Sequence, residues 1–74
     1  MTTTLSRIDD LRNDLENMHV SIRYYIGILA ELEQLGKTGT KEFQSVEKTV
    51  NILKQNARRV EAEIERLEEE LFDT

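Results

Sequence analysis

Gly36, Lys37 and Thr38 form the first group of residues that could do chemistry, because Gly-Lys-Thr closes the phosphate-binding loop of many nucleoside triphosphatases. That loop needs another glycine five residues before Gly36, and the residue at that position is Glu31. It also follows a β-strand, whereas the segment before Gly36 has the pattern of a helix. The three residues therefore favour a capped turn between two helices over a nucleoside triphosphate site.

A weaker anion site stays open at the same place. Lys37 and Lys41 flank the free backbone amides at the start of the following helix, and such amides attract anions. Further basic residues could contribute where several copies of the chain meet. The candidate anion-binding set is Arg23, Lys37, Lys41, Lys48 and Lys54. The capped turn is the preferred interpretation, and the anion site is its alternative.

Glu16 and His19 have the Glu-x-x-His spacing of the ligands in di-iron and di-manganese helical bundles. Such ligands project into the bundle core, whereas the heptad assignment below places both residues beside the core. The chain has one histidine, so a second ligand set would come only from a second copy. We therefore predict a boundary histidine near Lys54 and Glu61, and no metal site or other cofactor.

Arg23, Tyr24 and Tyr25 could stack a base and hold a phosphate. Their helical positions favour packing instead, since Tyr25 falls in the core and Tyr24 on a surface that another helix could cover. One histidine, no cysteine and no glycine-rich cofactor loop leave little for catalysis. We predict a protein that is not an enzyme and has no catalytic residue.

Length and composition narrow the class of protein. A chain of 74 residues forms one small domain and rarely buries a large core unaided. Its 10 basic and 15 acidic side chains give a net charge of −5, which disfavours a nucleic-acid partner. No apolar run approaches the ~20 residues of a membrane span. The N-terminal segment also lacks the apolar core of a secretory signal, so we expect a soluble cytoplasmic protein without membrane contact.

Two long segments follow a seven-residue repeat, lettered abcdefg, in which every a and d residue is apolar or aromatic. This pattern is typical of two helices that pack along a shared seam. In the first segment the a and d residues are Ile8, Leu11, Leu15, Met18, Ile22, Tyr25, Leu29 and Leu32. In the second they are Phe43, Val46, Val50, Leu53, Ala57, Val60, Ile64, Leu67 and Leu71.

The short glycine-containing link forces the two helices to be antiparallel neighbours. We predict an all-α fold over residues 1–74: a helix at about 5–35, a turn at 36–39 and a helix at about 40–72, packed as an antiparallel two-helix coiled-coil hairpin. An a residue then faces a d residue wherever their numbers sum to 75. This register also sets Arg12 near Glu61 and Glu68, and Arg7 near Glu63 and Glu70.

The g and c positions of both helices share one side of the hairpin, which we call the g/c flank. Its middle is uncharged and partly apolar, as expected of a surface that another helix covers. We predict that the hairpin associates with itself there, as a homodimer or higher oligomer, and forms a four-helix bundle. A different protein on the same flank is the alternative. The candidate self-association residues are Ser21, Tyr24, Ile28, Leu35, Ser45, Thr49, Ile52 and Asn56.

The end of the hairpin opposite the turn is acidic. Residues 1–16 and 55–74 together carry five basic and eleven acidic side chains, a net −6, against +1 for residues 17–54. A solvated helix face is the plain interpretation of this charge, and a surface that docks on a basic protein is the functional one. The candidate partner-binding residues are Glu61, Glu65, Glu68 and Glu69.

The expected architecture resembles that of Rop-type hairpins, which dimerise as four-helix bundles and bind paired RNA loops. The resemblance is one of shape, without a shared motif, and the acidic face argues against RNA. We predict a non-enzymatic adaptor, structural component or inhibitor of another protein. Small acidic coiled-coil chains are common in phages and mobile elements, which makes such an origin a candidate. The alternative function is an oligomer that sequesters a small anionic ligand, such as a nucleotide signal, at its subunit junctions.

Overall fold

The computed structural model describes residues 3–72 and contains two helices, α1 (Thr4–Gln34) and α2 (Lys41–Phe72). The helices pack against each other as a hairpin with overall dimensions of 55 × 17 × 14 Å. Their bounds differ from the predicted ones by no more than one residue. The predicted two-helix hairpin is therefore confirmed for the described residues.

A threonine caps the start of each helix. The Thr3 hydroxyl accepts a hydrogen bond from the Ser6 amide at 3.1 Å, and the Thr40 hydroxyl accepts one from the Phe43 amide at 3.2 Å. The Thr40 hydroxyl also donates to the Lys37 carbonyl at 2.8 Å, which ties the turn to the second helix. Each bond to an amide satisfies a donor that has no partner within its own helix.

The end of α1 depends on a left-handed glycine. Gly36 has a φ of 73°, which a residue without a Cβ adopts at little cost. With the chain turned in this way, the Lys37 amide donates to the Leu32 carbonyl at 2.8 Å and the Gly36 amide to the Glu33 carbonyl at 3.0 Å. This is the Schellman arrangement, and it stops the helix while satisfying its last carbonyls.

The seam between the helices is made of the predicted a and d residues. All of them are buried or half-buried except Leu71, which is 38% exposed. Leu71 differs because its counterpart in the register is Thr4, the first residue of α1, which offers no large apolar side chain. The buried residues among them are Ile8, Ile22, Val50, Ala57, Ile64 and Leu67.

Contacts between polar and charged side chains across the seam identify the register. On one flank, the residue numbers of each pair sum to 80: Arg12 to Glu68 at 2.7 Å and His19 to Glu61 at 3.6 Å. On the other flank the numbers sum to 70, with Arg7 lying 4.0 Å from Glu63. If one helix were shifted by seven residues along the other, either the pairs that sum to 80 or the pair that sums to 70 would move out of reach. The two sums together therefore require the register in which facing a and d residues have numbers that sum to 75. The predicted proximity of Arg12 to Glu68 and of Arg7 to Glu63 is confirmed.

Burial is uneven along the rod. We call residues 3–21 and 54–72 the terminal half, and residues 22–53 the turn half. The terminal half holds a hydrophobic cluster built from three register pairs: Ile8 with Leu67, Leu11 with Ile64, and Leu15 with Val60. Beyond Val50 the seam residues nearer the turn are only half-buried, namely Tyr25, Leu29, Leu32, Phe43 and Val46.

Neither α1 nor α2 contains a stretch that is long and apolar enough to cross a membrane, as judged over residues 3–72.

Two glycine-to-alanine substitutions should move stability in opposite directions. Gly27 lies inside α1, and a Cβ added there would have nothing within 4 Å, so Gly27→Ala should stabilise the fold by about 1 kcal/mol through helix propensity. Gly36→Ala should destabilise it by about 1 kcal/mol, because alanine resists the left-handed conformation. Thermal and urea unfolding at one protein concentration measures both changes. Equal effects of the two substitutions would contradict the cap described for Gly36.

Candidate functional site

The middle of the g/c flank is uncharged, and we call this part the neutral stripe. It exposes two large apolar side chains, Tyr24 at 66% and Ile52 at 49%. Around them Ser21, Ile28, Thr49 and Asn56 are half-buried, and Ser45 is exposed. The stripe comprises Asn17, Ser21, Tyr24 and Ile28 of α1, and Ser45, Thr49, Ile52 and Asn56 of α2.

An open groove continues the neutral stripe toward the turn. It has a volume of about 460 Å³ and exposes part of the incompletely covered seam beside the stripe. Leu35, another predicted self-association residue, is 68% exposed at the end of α1. The groove is lined by Ile28, Leu32, Lys41, Glu42, Ser45 and Val46.

The two tyrosines occupy the positions that the heptads predicted. Tyr25 is half-buried in the seam and Tyr24 is exposed on the flank. Their ring centroids lie 5.4 Å apart with the planes at 75°, an edge-to-face contact. This contact favours packing as the role of Tyr25 and leaves the outer face of Tyr24 available to a neighbour.

The opposite, e/b flank is charged and partly self-paired. His19 lies 3.6 Å from Glu61, which confirms the predicted boundary position, and it shares a groove with Lys54. The neighbouring pair joins Arg12 to Glu68. Within residues 3–72 there is no group of three or more His, Cys, Asp or Glu residues that could hold a metal ion.

Arg66 forms hydrogen bonds with two glutamates on the terminal half of the g/c flank. Its guanidinium donates to Glu63 at 2.6 and 3.2 Å, and to Glu70 at 3.0 Å. The hydrogen bond from Arg66, together with the charges of Arg66 and Arg7, lowers the pKa of the Glu63 carboxyl below its ordinary value. The same hydrogen bond to Glu63 raises the pKa of Arg66. We did not predict these contacts from the sequence. Arg66 lies three residues after Glu63 and four before Glu70, which are the spacings at which side chains of one helix meet.

The four candidate partner-binding glutamates fall into two pairs with different surroundings. Glu61 and Glu68 are engaged within the hairpin, by His19 and Arg12 respectively. Glu65 and Glu69 make no ion pair with any described residue. Both line an open groove with Glu68 and with Phe72, whose side chain is 85% exposed. Phe72 follows the last seam residue and lies beside these glutamates, and the candidate partner-binding set predicted from the sequence does not include it.

The candidate anion-binding residues do not converge in one hairpin. Lys41 lines the groove at the turn end of the g/c flank, while Lys54 lines a groove on the e/b flank with His19 and Arg58. Arg23, Lys37 and Lys48 are exposed and line neither groove. A common anion site would therefore need residues from more than one copy of the chain.

Comparison with known proteins gives no relative from which function could be transferred: no family model, curated protein or solved structure matches the chain. Its function must be inferred from the surfaces described above.

The lowered pKa of Glu63 predicts a pH dependence of folding. A carboxyl whose pKa is lower in the folded chain adds stability above its unfolded pKa, and this contribution disappears as pH falls through the lower, folded value. Glu63→Gln should therefore lose less stability than the wild type between pH 7 and pH 3. The measurement is urea unfolding at fixed protein concentration across that range, with Glu65→Gln as the control. Parallel pH curves for wild type and Glu63→Gln would contradict the assignment.

Proposed function

We propose that this protein is a non-enzymatic helical hairpin that associates with itself through the g/c flank and binds another protein. The self-associated form is a four-helix bundle of two hairpins, and the bound protein is basic. In this function the chain acts as an adaptor, a structural component or an inhibitor.

The observation that carries the proposal is the exposure of Tyr24 and Ile52 on an uncharged stripe beside a half-covered seam. The apolar side chains of α1 lie on several faces of the helix, whereas those of α2 lie mainly on one face. A single neighbour on the g/c flank would cover Tyr24, Ile28 and Ile52 together. Full burial of one such side chain contributes about 1.5–3 kcal/mol, so several of them favour association.

The proposed surface for the second protein is the acidic end, centred on Glu65, Glu69 and Phe72. An exposed aromatic side chain between unpaired carboxylates offers both apolar contact and charge attraction to a basic partner. Attraction of this kind accelerates encounter and selects the partner more than it adds affinity.

A second candidate function is favoured by the position of Lys41. It lines, together with Glu42, the groove that adjoins the neutral stripe, so a second copy on that stripe would turn the open groove into a partly enclosed site in which the Lys41 ammonium could contact an anion. An oligomer of this kind could sequester a small anionic ligand such as a nucleotide at its subunit junctions.

Self-association should disappear when charge is placed on the neutral stripe. Tyr24→Glu combined with Ile52→Glu alters two exposed side chains, so the hairpin should keep its helicity while the dimer dissociates. Size-exclusion chromatography with light scattering at micromolar concentration measures the mass, and circular dichroism measures helicity.

Val20→Glu combined with Ile26→Glu is the matched control, because these side chains are 51% and 43% exposed and lie off the g/c flank. The control variant should remain dimeric. Dissociation of the control but not of the stripe variant would place the interface elsewhere, and a monomeric wild-type chain would refute self-association.

Binding assays should separate the two candidate functions. If the acidic end binds a basic protein, Glu65→Lys with Glu69→Lys should abolish co-purification of that protein from the native host. Glu33→Lys with Glu47→Lys makes the same charge change near the turn and should retain it. If the anion function is correct, one nucleotide of a panel should instead raise the unfolding temperature by several degrees, and Lys41→Ala should remove the rise.

A further inference from the structure

The c positions of the two helices indicate how a second copy lies on the g/c flank, an inference that rests on the self-association proposed above. In one hairpin the g positions border the seam, whereas the c positions lie one step further out on each helix and face away from each other. Residues at c of α1 can meet residues at c of α2 only when α1 of one copy lies over α2 of the other.

Two of the four pairs of c residues that share a level along the rod are complementary. In the observed register, c residues at the same level have numbers that sum to 76. Tyr24 and Ile52 form one such pair, and they are the two exposed apolar side chains of the neutral stripe. Asp10 and Arg66 form another pair, of opposite charge, in the terminal half.

The charged pair is available for contact with another chain. Asp10 is exposed and makes no ion pair with any described residue. Arg66 bonds to Glu63 and Glu70 through Nε, Nη1 and Nη2, once each. A guanidinium has five N–H donors, so two remain for a further carboxylate.

We propose that the two hairpins of the dimer lie with their termini at the same end, related by a two-fold axis that runs along the rod. α1 of each copy lies on α2 of the other. Tyr24 packs on Ile52 of the partner subunit, and Asp10 binds Arg66 of the partner subunit. Because the interface is two-fold symmetric, each of these contacts occurs twice.

The head-to-tail arrangement on the same flank lacks these contacts. It places α1 on α1 and α2 on α2, so Tyr24 and Ile52 meet residues of their own helix type. When it is centred on the neutral stripe, it also leaves Asp10 and Arg66 in solvent. The arrangement with termini together is the one that uses both complementary pairs at once.

The net negative charge of the terminal half does not oppose this arrangement strongly. Residues 3–21 and 54–72 carry six basic and ten acidic side chains, a net −4. Most of this charge lies off the g/c flank, because the flank contributes three basic and four acidic residues, a net −1. Charges on the outer faces of the two copies are further apart than the ~8–10 Å over which salt screens them. The flank residues are Arg7, Arg59 and Arg66 against Asp10, Asp14, Glu63 and Glu70.

This orientation has a consequence for partner binding. The grooves lined by Glu65, Glu69 and Phe72 of both copies lie at the same end of the bundle. The dimer would then present one doubled acidic surface to a basic partner, instead of two separate surfaces at opposite ends.

Cross-linking tests the orientation directly, since the chain has no cysteine of its own. Glu31 and Ser45 are exposed c residues at the same level. When chains carrying Glu31→Cys are mixed with chains carrying Ser45→Cys, a short bis-maleimide should join the cysteine introduced in one chain to the cysteine introduced in the other. Peptide mass spectrometry identifies the junction.

The control mixture carries Arg23→Cys and Asn51→Cys, which share a level on the e/b flank and should not be joined. A dimer in which the reagent joins no Glu31→Cys chain to a Ser45→Cys chain would overturn the orientation while leaving self-association intact. Joining in the control mixture would place the dimer on the e/b flank. A wild-type chain that is monomeric by light scattering would refute the self-association on which the orientation rests.

Charge reversal at two adjacent residues, one on the g/c flank and one off it, tests the Asp10 contact independently of cross-linking. Asp10→Lys should raise the dissociation constant of the dimer on the order of tenfold. In each of the two symmetric contacts a lysine would then face Arg66 of the partner subunit. Asp9→Lys makes the same charge change at an exposed residue off the g/c flank and should leave the dimer as strong or stronger. Sedimentation equilibrium at 0.15 M salt measures both dissociation constants. Equal dissociation constants for the two variants would overturn the Asp10 contact.

Discussion

A rod of two helices has a single internal seam, and this constraint governs the rest of the molecule. Each helix can bury one stripe, so the described apolar residues outside the a and d positions are exposed, apart from the half-buried Ile28. Six side chains of residues 3–72 are buried, and Ile8 is the most enclosed of them, at 2% exposure. Exposed ion pairs such as Arg12 with Glu68 add only about 0–1 kcal/mol each, so the seam supplies most of the stability.

The two halves of the rod differ in how completely they bury the seam and in how much charge they carry. In the terminal half, Ile8, Ile64 and Leu67 are enclosed within one hairpin, and arginine–glutamate contacts border them. In the turn half, Ile22 and Val50 are buried, the other seam residues are half-buried, and the neutral stripe adjoins them. The half with the larger buried cluster therefore carries the excess charge, and the half with the less complete core extends toward an uncharged surface.

The fold followed from the sequence because its signals are local or strictly periodic. Gly36 and Thr40 mark the turn by the conformations and caps they permit, and the heptads specify the register through the numbers of paired residues. Other features depend on which side chain reaches which, and composition does not reveal that. The separation of Glu61 and Glu68, which are paired, from Glu65 and Glu69, which are not, required the positions of Arg12 and His19.

The charged side chains divide into those that are paired within the hairpin and those that are left for contact with a partner. Charges that pair within the hairpin, such as Arg7 with Glu63, strengthen its register and leave little for a partner. Charges with no internal ion pair are where an external one can act. Asp10 is such a charge on the g/c flank, and Glu65 and Glu69 are such charges on the outer surface of the acidic end. Because these two sets lie on different faces, self-association and binding of a basic protein can occur in the same molecule without competing.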